Sequence, residues 1–257
     1  MPQKPFITIL IPSWNSELFI ERGVQSILKN SYDNIEVLIM DNNSTDRASK
    51  IISELKDDRV VFSAQKDKSM YEALNRGIKE AKGEIICWIG SDDRYDKDAL
   101  KIIADTFKEN PSINWLVGEG KFVFENENNR TIYHQLPQEI TPGIIINGNP
   151  LISPSVAFRK NFFEKANCFD ENYKYAADYD LWIKFVLMQN PFIIRSSLSL
   201  FSLNGDNISS KNKIDIYKET IRILNSIKTE KYFTSIFLNK IRMNLFIYYN
   251  YICSMIK

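Results

Sequence analysis

Residues 84–93 read Glu-Ile-Ile-Cys-Trp-Ile-Gly-Ser-Asp-Asp, an apolar run that stops on a glycine and then two adjacent carboxylates. A run of this length, preceded by Lys82-Gly83 and ended by Gly90, reads as a strand. It is the fourth of a series. Phe6–Ile11 is the first, Ile35–Met40 the second and Val60–Ser63 the third, and helical spacing fills the gaps. Leu18, Ile20, Val24, Ile27 and Leu28 space one helix over Leu18–Leu28. Ser44-Thr45-Asp46 offers N-cap chemistry for a second, running through Leu55. A third helix covers Met70–Ala81 and stops at Lys82-Gly83, and a fourth covers Asp98–Phe107. Strands alternating with helices mean βαβ units and a mainly parallel sheet flanked by helices, an α/β fold.

The acids matter because of where this pattern places them. Asp41 ends the second strand and Asp92-Asp93 follow the fourth. Carboxyl ends of parallel strands line the crevice in which open α/β sheets bind ligands. Hard oxygen donors gathered there suit Mg²⁺ or Mn²⁺ bridging phosphates. The residues alone therefore point to an enzyme that handles a metal–diphosphate substrate.

Composition narrows the classes. The chain has 257 residues, 44% hydrophobic and 25% charged, enough for one large domain with an appendage. A formal net charge of +1 leaves no long-range field for nucleic acid, so an anion must be held by local groups. Cys87, Cys168 and Cys253 are widely spaced, without a CxxC pair, and fit a reducing compartment. The apolar run at the N-terminus ends at Pro12, too short for a signal peptide, and no stretch reaches the length of a membrane span. A cytoplasmic protein is expected.

Beyond residue 110 the pattern changes. Residues 113–134 read as a hairpin or an antiparallel edge, split by Glu-Asn-Glu-Asn-Asn. Pro137, Pro142, Pro150 and Pro154, with Gly143 and Gly148, predict a loop of little regular structure over 137–154. A helix begins at Asp180, Phe192–Leu203 is extended, and Ile214–Ile227 and Tyr232–Ile256 are helical. His134, the only histidine, reads as a surface or structural residue.

The order and spacing of four segments resemble glycosyltransferase family 2, the inverting transferases of GT-A fold. They are ITILIPSWNSELFIERGVQSIL, IEVLIMDNNSTD, DKSMYEALNRGIKEAKGEIICWIGSDDRY and FDENYKYAADYDLWIKF, covering most of residues 5–190. The resemblance implies a GT-A-like catalytic domain over 1–210, with a nucleotide-binding half (1–110) and an acceptor-side half (111–210), then a helical segment over 211–257. It implies a nucleotide-sugar donor, UDP- or dTDP-linked, and a saccharide or lipid-linked saccharide acceptor of bacterial surface polysaccharide or lipopolysaccharide assembly.

By resemblance, Asp93 ligates the divalent cation, and Asp92 touches the ribose or a metal-bound water; alone, the pair would equally be a turn before a helix. Asp41 accepts from the base N–H, Pro12, Ser13, Trp14 and Asn15 line the base and ribose, and Asp67 contacts the nucleoside. Ser69 stands where the family carries glycine. Asp178 falls on the general base, with Ala177 in place of the family's glutamate. Asp180 is the rival for that role, and helix capping is the plain alternative for both. Pro150–Ser155 matches a region shaping the acceptor pocket; some relatives place a histidine near Ser153. Gly205–Ser210 resembles a loop that closes over the diphosphate, or is a surface turn.

Two alternatives stay open. No GxGxxG and no basic glycine-rich loop follows the first strand, which argues against a nicotinamide dehydrogenase and a nucleotidyltransferase. A catalytically degenerate nucleotide- or carbohydrate-binding protein of the same fold is the remaining rival. The last helix carries an apolar stripe at Phe233, Phe237, Ile241, Leu245, Tyr248, Ile252 and Ile256, flanked by Lys228, Lys231, Lys240, Arg242 and Lys257. It reads either as a peripheral membrane contact or as a helix packed on the domain or in a homodimer.

Overall fold

Strand β1 (Ile7–Ser13), buried at every position but the half-buried Pro12, pairs in parallel with a strand on either side. The computed structural model describes residues 4–205, 207–227 and 230–255. Asp206, Lys228, Ile256 and Lys257 of the sequence expectations lie outside them. Helix α1 (Ile20–Leu28) leads to β2 (Ile35–Asp41), α2 (Ala48–Glu54) to β3 (Val60–Ala64), and α3 (Met70–Glu80) to β4 (Ile85–Trp88). A two-residue strand β5 (Arg94–Tyr95) precedes α4 (Ala99–Glu109). Then come β6 (Trp115–Phe124), β7 (Arg130–His134), α5 (Pro142–Asn147), β8 (Val156–Arg159), α6 (Lys160–Lys165), α7 (Ala177–Met188) and β9 (Phe192–Leu203). Helices α8 (Ile208–Lys211), α9 (Lys213–Ser226) and α10 (Phe233–Met255) finish the chain.

The nine strands form one sheet in the order β3-β2-β1-β4-β8-β6-β9-β5, with β7 paired to β6 off this path. Strands β1 to β4 pair in parallel, as the βαβ reading requires. The second half is mixed: β8 runs antiparallel to both β4 and β6, and β6 is parallel to β9. The expected hairpin is β6–β7, antiparallel. Strand β6 is long enough to pair with β8 through its first residues and β7 through its last.

Alternation in β1 sorts the core into two layers. Ile7, Ile9 and Ile11 face α1, α2 and α4, while Leu10 faces α3, α6 and α7. The second layer is rich in rings: Trp115 stacks on Trp182 at 6.2 Å between centroids, and Phe185 meets both edge-on or tilted. Helix α9 buries Ile223 and Leu224 in this same layer. No helix of the described residues is long and apolar enough to cross a membrane.

Four expectations need correction. Leu18 is exposed and outside α1. Ser44 and Thr45 do not cap α2, because they fold back onto Asp41 and Asn15; Asp46 alone serves its first turn, accepting from the Ala48 N–H at 3.0 Å. The 137–154 segment is not all loop, since Pro142 starts α5, where a missing N–H is harmless. Strand β8 went unread, since VAFR is short and leads straight into α6, yet it bridges the two halves of the sheet.

Gly77 shows how tightly α3 sits on the sheet. A Cβ at that position would lie 2.1 Å from Leu10 Cδ2 and 3.0 Å from Met40. Alanine normally gains about 1 kcal/mol over glycine inside a helix. Here overpacking of about 1–3 kcal/mol should overcome that gain. Gly77→Ala is therefore expected to lower stability in urea unfolding; an unchanged or raised midpoint would refute this packing.

Candidate functional site

The carboxyl edge of the parallel strands is tied together by buried acids. Ser13 and Asp41 face each other in the β1–β2 register. Ser13 Oγ lies 3.0 Å from Asp41 Oδ2 and 2.8 Å from Ser16 Oγ. Asp41 Oδ1 accepts from the Ser44 N–H (2.7 Å) and Oδ2 from the Ser44 hydroxyl (2.6 Å). Asn15, at φ 48°, then staples the two loops: its N–H donates to Ser44 Oγ and its Oδ1 accepts from the Thr45 N–H. Asp41, 1% exposed, thus organises the turn, accepting from Ser13 and Ser44. Trp14 projects from this edge, 68% exposed, with Pro12 half-buried behind it.

Asp67 is held differently. Arg76 grips its carboxylate through two nitrogens, at 2.8 and 3.3 Å, and also donates to Ser63 Oγ. The Asp67 N–H donates to Asn42 Oδ1 at 2.7 Å. Ser69 is extended (φ −150°), so its position demands no glycine. Its hydroxyl caps α3 by accepting from the Glu72 N–H, while the Glu72 carboxylate accepts from the Lys68 N–H just before the cap.

The adjacent acids after β4 have separate jobs. Asp93 is buried at 3% exposure, with Oδ1 accepting from the Ser202 N–H at 2.9 Å and Oδ2 from the Gly90 N–H at 3.2 Å. Burial, then the charge of Asp92, pushes its carboxyl well above the usual range, and those two N–H groups oppose the shift. Asp92 is only partly covered. Its Oδ2 accepts from the amides of Asn204 (3.0 Å) and Asn207 (3.1 Å). A Cβ on Gly90 would come within 2.9 Å of Asp92 Oδ1 and Asp93 Oδ2, so only glycine leaves both carboxylates room.

No group of three or more His, Cys, Asp or Glu side chains gathers for a metal among the described residues. One carboxylate oxygen is nonetheless a sufficient protein share for a Mg²⁺-like ion that takes its other ligands from substrate phosphates and water. Asp92 fits that description, whereas the geometry gives Asp93 to the backbone.

Asp178 lies in the first turn of α7, whose entry is fixed from another helix. Glu219 of α9 accepts the N–H groups of Lys174, Tyr175 and Ala176 at 2.8–3.0 Å. Asp178 Oδ2 accepts from the Ser153 hydroxyl at 2.8 Å, and Oδ1 from the Tyr179 N–H at 2.8 Å. The Tyr71 hydroxyl lies 3.0 Å from Oδ1 and 3.1 Å from the Tyr175 carbonyl oxygen, so two acceptors share its one proton. Burial raises the Asp178 carboxyl above its ordinary value, and the Ser153 and Tyr71 donors hold the rise back. Tyr71 sits in the first turn of α3, which places Asp178 at the same sheet edge as Asp41 and Asp92. Asp180 turns away and pairs with Lys184 at 2.6 Å.

Several of these partners escaped the sequence reading: Tyr71 and Ser153 on Asp178, Asn204 and Asn207 on Asp92, and Ser202 on Asp93. The Gly205–Ser210 region carried a signal, and Asn207 from it does reach Asp92. His134, read as structural, bonds through Nε2 to the Pro150 carbonyl at 2.7 Å. The division between the paired acids is open to test. Asp93→Ala orphans the buried Ser202 N–H and the half-buried Gly90 N–H and should cost about 2–4 kcal/mol in unfolding. Asp92→Ala should cost under about 1 kcal/mol, since solvent can satisfy the freed amides. Equal losses for the two variants would contradict the assignment.

Comparison with known proteins agrees with this architecture. The chain is 26% identical over 200 residues to an uncharacterized glycosyltransferase of Rickettsia typhi, covering 73% of this chain and 61% of that one. It is 26% identical over 209 residues to WfgD of Escherichia coli, described as UDP-Glc:alpha-D-GlcNAc-diphosphoundecaprenol beta-1,3-glucosyltransferase, with 79% of each chain covered. Among solved structures, S. aureus TarS 1-349 in complex with UDP-GlcNAc superposes with TM-score 0.71 at 19% identity, covering 93% of this chain and 72% of that one. The mannosyltransferase PcManGT of Pyrobaculum calidifontis, with GDP-Man and Mn²⁺, superposes with TM-score 0.70 at 16% identity, covering 95% and 71%. These two show the fold, a GT-A-like mixed sheet between helices. Residues 8–167, more than half the chain, match the profile of Glycosyl transferase family 2, and the chain belongs to that family.

Proposed function

We propose that this chain transfers a sugar from a nucleoside-diphosphate donor to a hydroxyl acceptor, with inversion at the anomeric carbon. The observation that carries the reading is the Asp178 carboxylate, held by Tyr71 and Ser153 at the same sheet edge as Asp92. In an inverting displacement the acceptor oxygen attacks C1 from the face opposite the leaving diphosphate. A carboxylate on the acceptor side takes the hydroxyl proton as the C–O bond forms. Asp178 suits that role, because it is partly open to solvent and its raised proton affinity makes it a better base than an ordinary carboxylate.

Asp92 is assigned to the cation, in place of Asp93. A divalent ion bound there would neutralise charge developing on the departing diphosphate. The crossed hydrogen bonds of Ser13, Asn15, Asp41 and Ser44 hold the first two loops in the shape needed to receive the base and ribose, with Trp14 free to stack. The pyrimidine assignment, UDP or dTDP, rests on the family resemblance at Asp41, a carboxylate at the end of β2, since a carboxylate can accept from a ring N–H. The UDP-Glc in the name of WfgD and the UDP-GlcNAc bound to TarS point the same way. The lipid-linked saccharide in the name of WfgD supports an acceptor of that class and a place in surface polysaccharide assembly.

Release of nucleotide from UDP-glucose, UDP-GlcNAc and GDP-mannose tests the reading. UDP-linked donors should be consumed, and Asp178→Asn should slow turnover by about 10²–10⁴-fold. Because the base must be ionised, activity should rise with pH through its raised pKa. Tyr71→Phe removes a donor to the carboxylate and should move that limb to higher pH. A preference for the GDP-linked donor would overturn the pyrimidine assignment. An unaffected Asp178→Asn variant would overturn the base.

A further inference from the structure

The last long helix is anchored on one face and bare on the other. On its inner face Ile236 and Asn239 are buried, and Asn239 donates to the Ile146 carbonyl at 2.7 Å. Arg242 donates to the Asn147 carbonyl at 2.6 Å, and Phe246 packs edge-on against Tyr217 of α9 at 4.6 Å. The outer face carries Phe233, Phe237, Ile241, Leu245 and Tyr248, all exposed. With about 100° of rotation per residue these fall in one sector, with Lys240 on one flank and Arg242 on the other.

The charge around that stripe is one-sided. From Glu230 to Lys257 the sequence holds four basic residues against the single acid Glu230, in a chain whose net charge is only +1. Helix α10 itself carries no acid, so a second copy of it would bring like charges together, the reverse of a coiled-coil seam. An apolar stripe bordered by lysine and arginine, with aromatics along it, matches a helix lying in the interface of an anionic bilayer. Lys231 and Lys240 would reach headgroups while their stems cover apolar surface.

We infer that the outer face of α10 docks the protein on an anionic phospholipid membrane. The inner face of the same helix holds α5 through Asn239 and Arg242, and the chain from α5 runs to Ser153, which bonds Asp178. Docking would therefore set the acceptor side of the site beside the lipid surface. The inference goes beyond the proposed activity and does not depend on the donor.

Sedimentation of the full chain with vesicles tests it, using phosphatidylcholine alone and phosphatidylcholine with about one-third phosphatidylglycerol to supply the surface charge. The protein should sediment with the anionic vesicles and be released by high salt. Lys231→Ala and Lys240→Ala should each weaken partitioning about fivefold. Phe237→Glu with Leu245→Glu should lose it by more than tenfold, about 1.4 kcal/mol, while leaving the melting temperature unchanged. No partitioning, or equal partitioning of the variants, would overturn the inference. So would a lipid-free dimer in sedimentation velocity that the same double substitution dissolves, which would assign the stripe to a second copy.

Discussion

A carboxylate taken out of water must be met by hydrogen-bond donors, and the binding edge of this protein is built around that requirement. Asp93 is the clearest case. It belongs to the loop after β4, yet half of its satisfaction comes from the Ser202 N–H at the far end of β9. That contact draws the chain after β9 across the site, and Asn204 and Asn207 then reach Asp92. The half-buried acid thus sits on a loop that the buried one fixes. Asp41 plays the same part on the other flank, gathering Ser13 and Ser44 into one rigid turn.

The second half of the sheet follows a similar rule through different residues. Glu119 is buried on β6, accepts from the Tyr133 hydroxyl at 2.7 Å, and has Arg195 at 3.4 Å. Arg195 then donates to the carbonyls of Leu136, Pro137 and Gln138, fixing the segment that leads to α5. Glu219 does as much for the entry to α7. The helical tail is thus packed into the ring-rich layer, since its second-to-last long helix, α9, supplies the clamp at the entry to α7.

How much of this could be read in advance depended on how local each cause was. The first four strands were legible because each is an apolar run bounded by turn residues, and their carboxyl ends placed Asp41 and Asp92 at one edge. Strand β8 was illegible because four residues between a prolyl turn and α6 carry no period of their own; its partners lie on β4 and β6. Asp178 was legible from the residues around it through a family resemblance. Its partners were not, because Tyr71 stands 107 positions away and Ser153 25, and only the folded sheet brings them together. The roles of Asp92 and Asp93 could not be separated by spacing, since adjacent acids after a strand look alike until the donor of each oxygen is known.

The central claim is that Asp92, presented by a buried and structurally committed Asp93, completes a nucleoside-diphosphate site with a divalent cation. Calorimetric titration of UDP with and without Mn²⁺, on the unaltered chain and on Asp92→Ala, tests it most directly. The account predicts UDP binding strengthened by Mn²⁺, with that enhancement lost in Asp92→Ala. Binding indifferent to the cation, or an enhancement that survives Asp92→Ala, would contradict it.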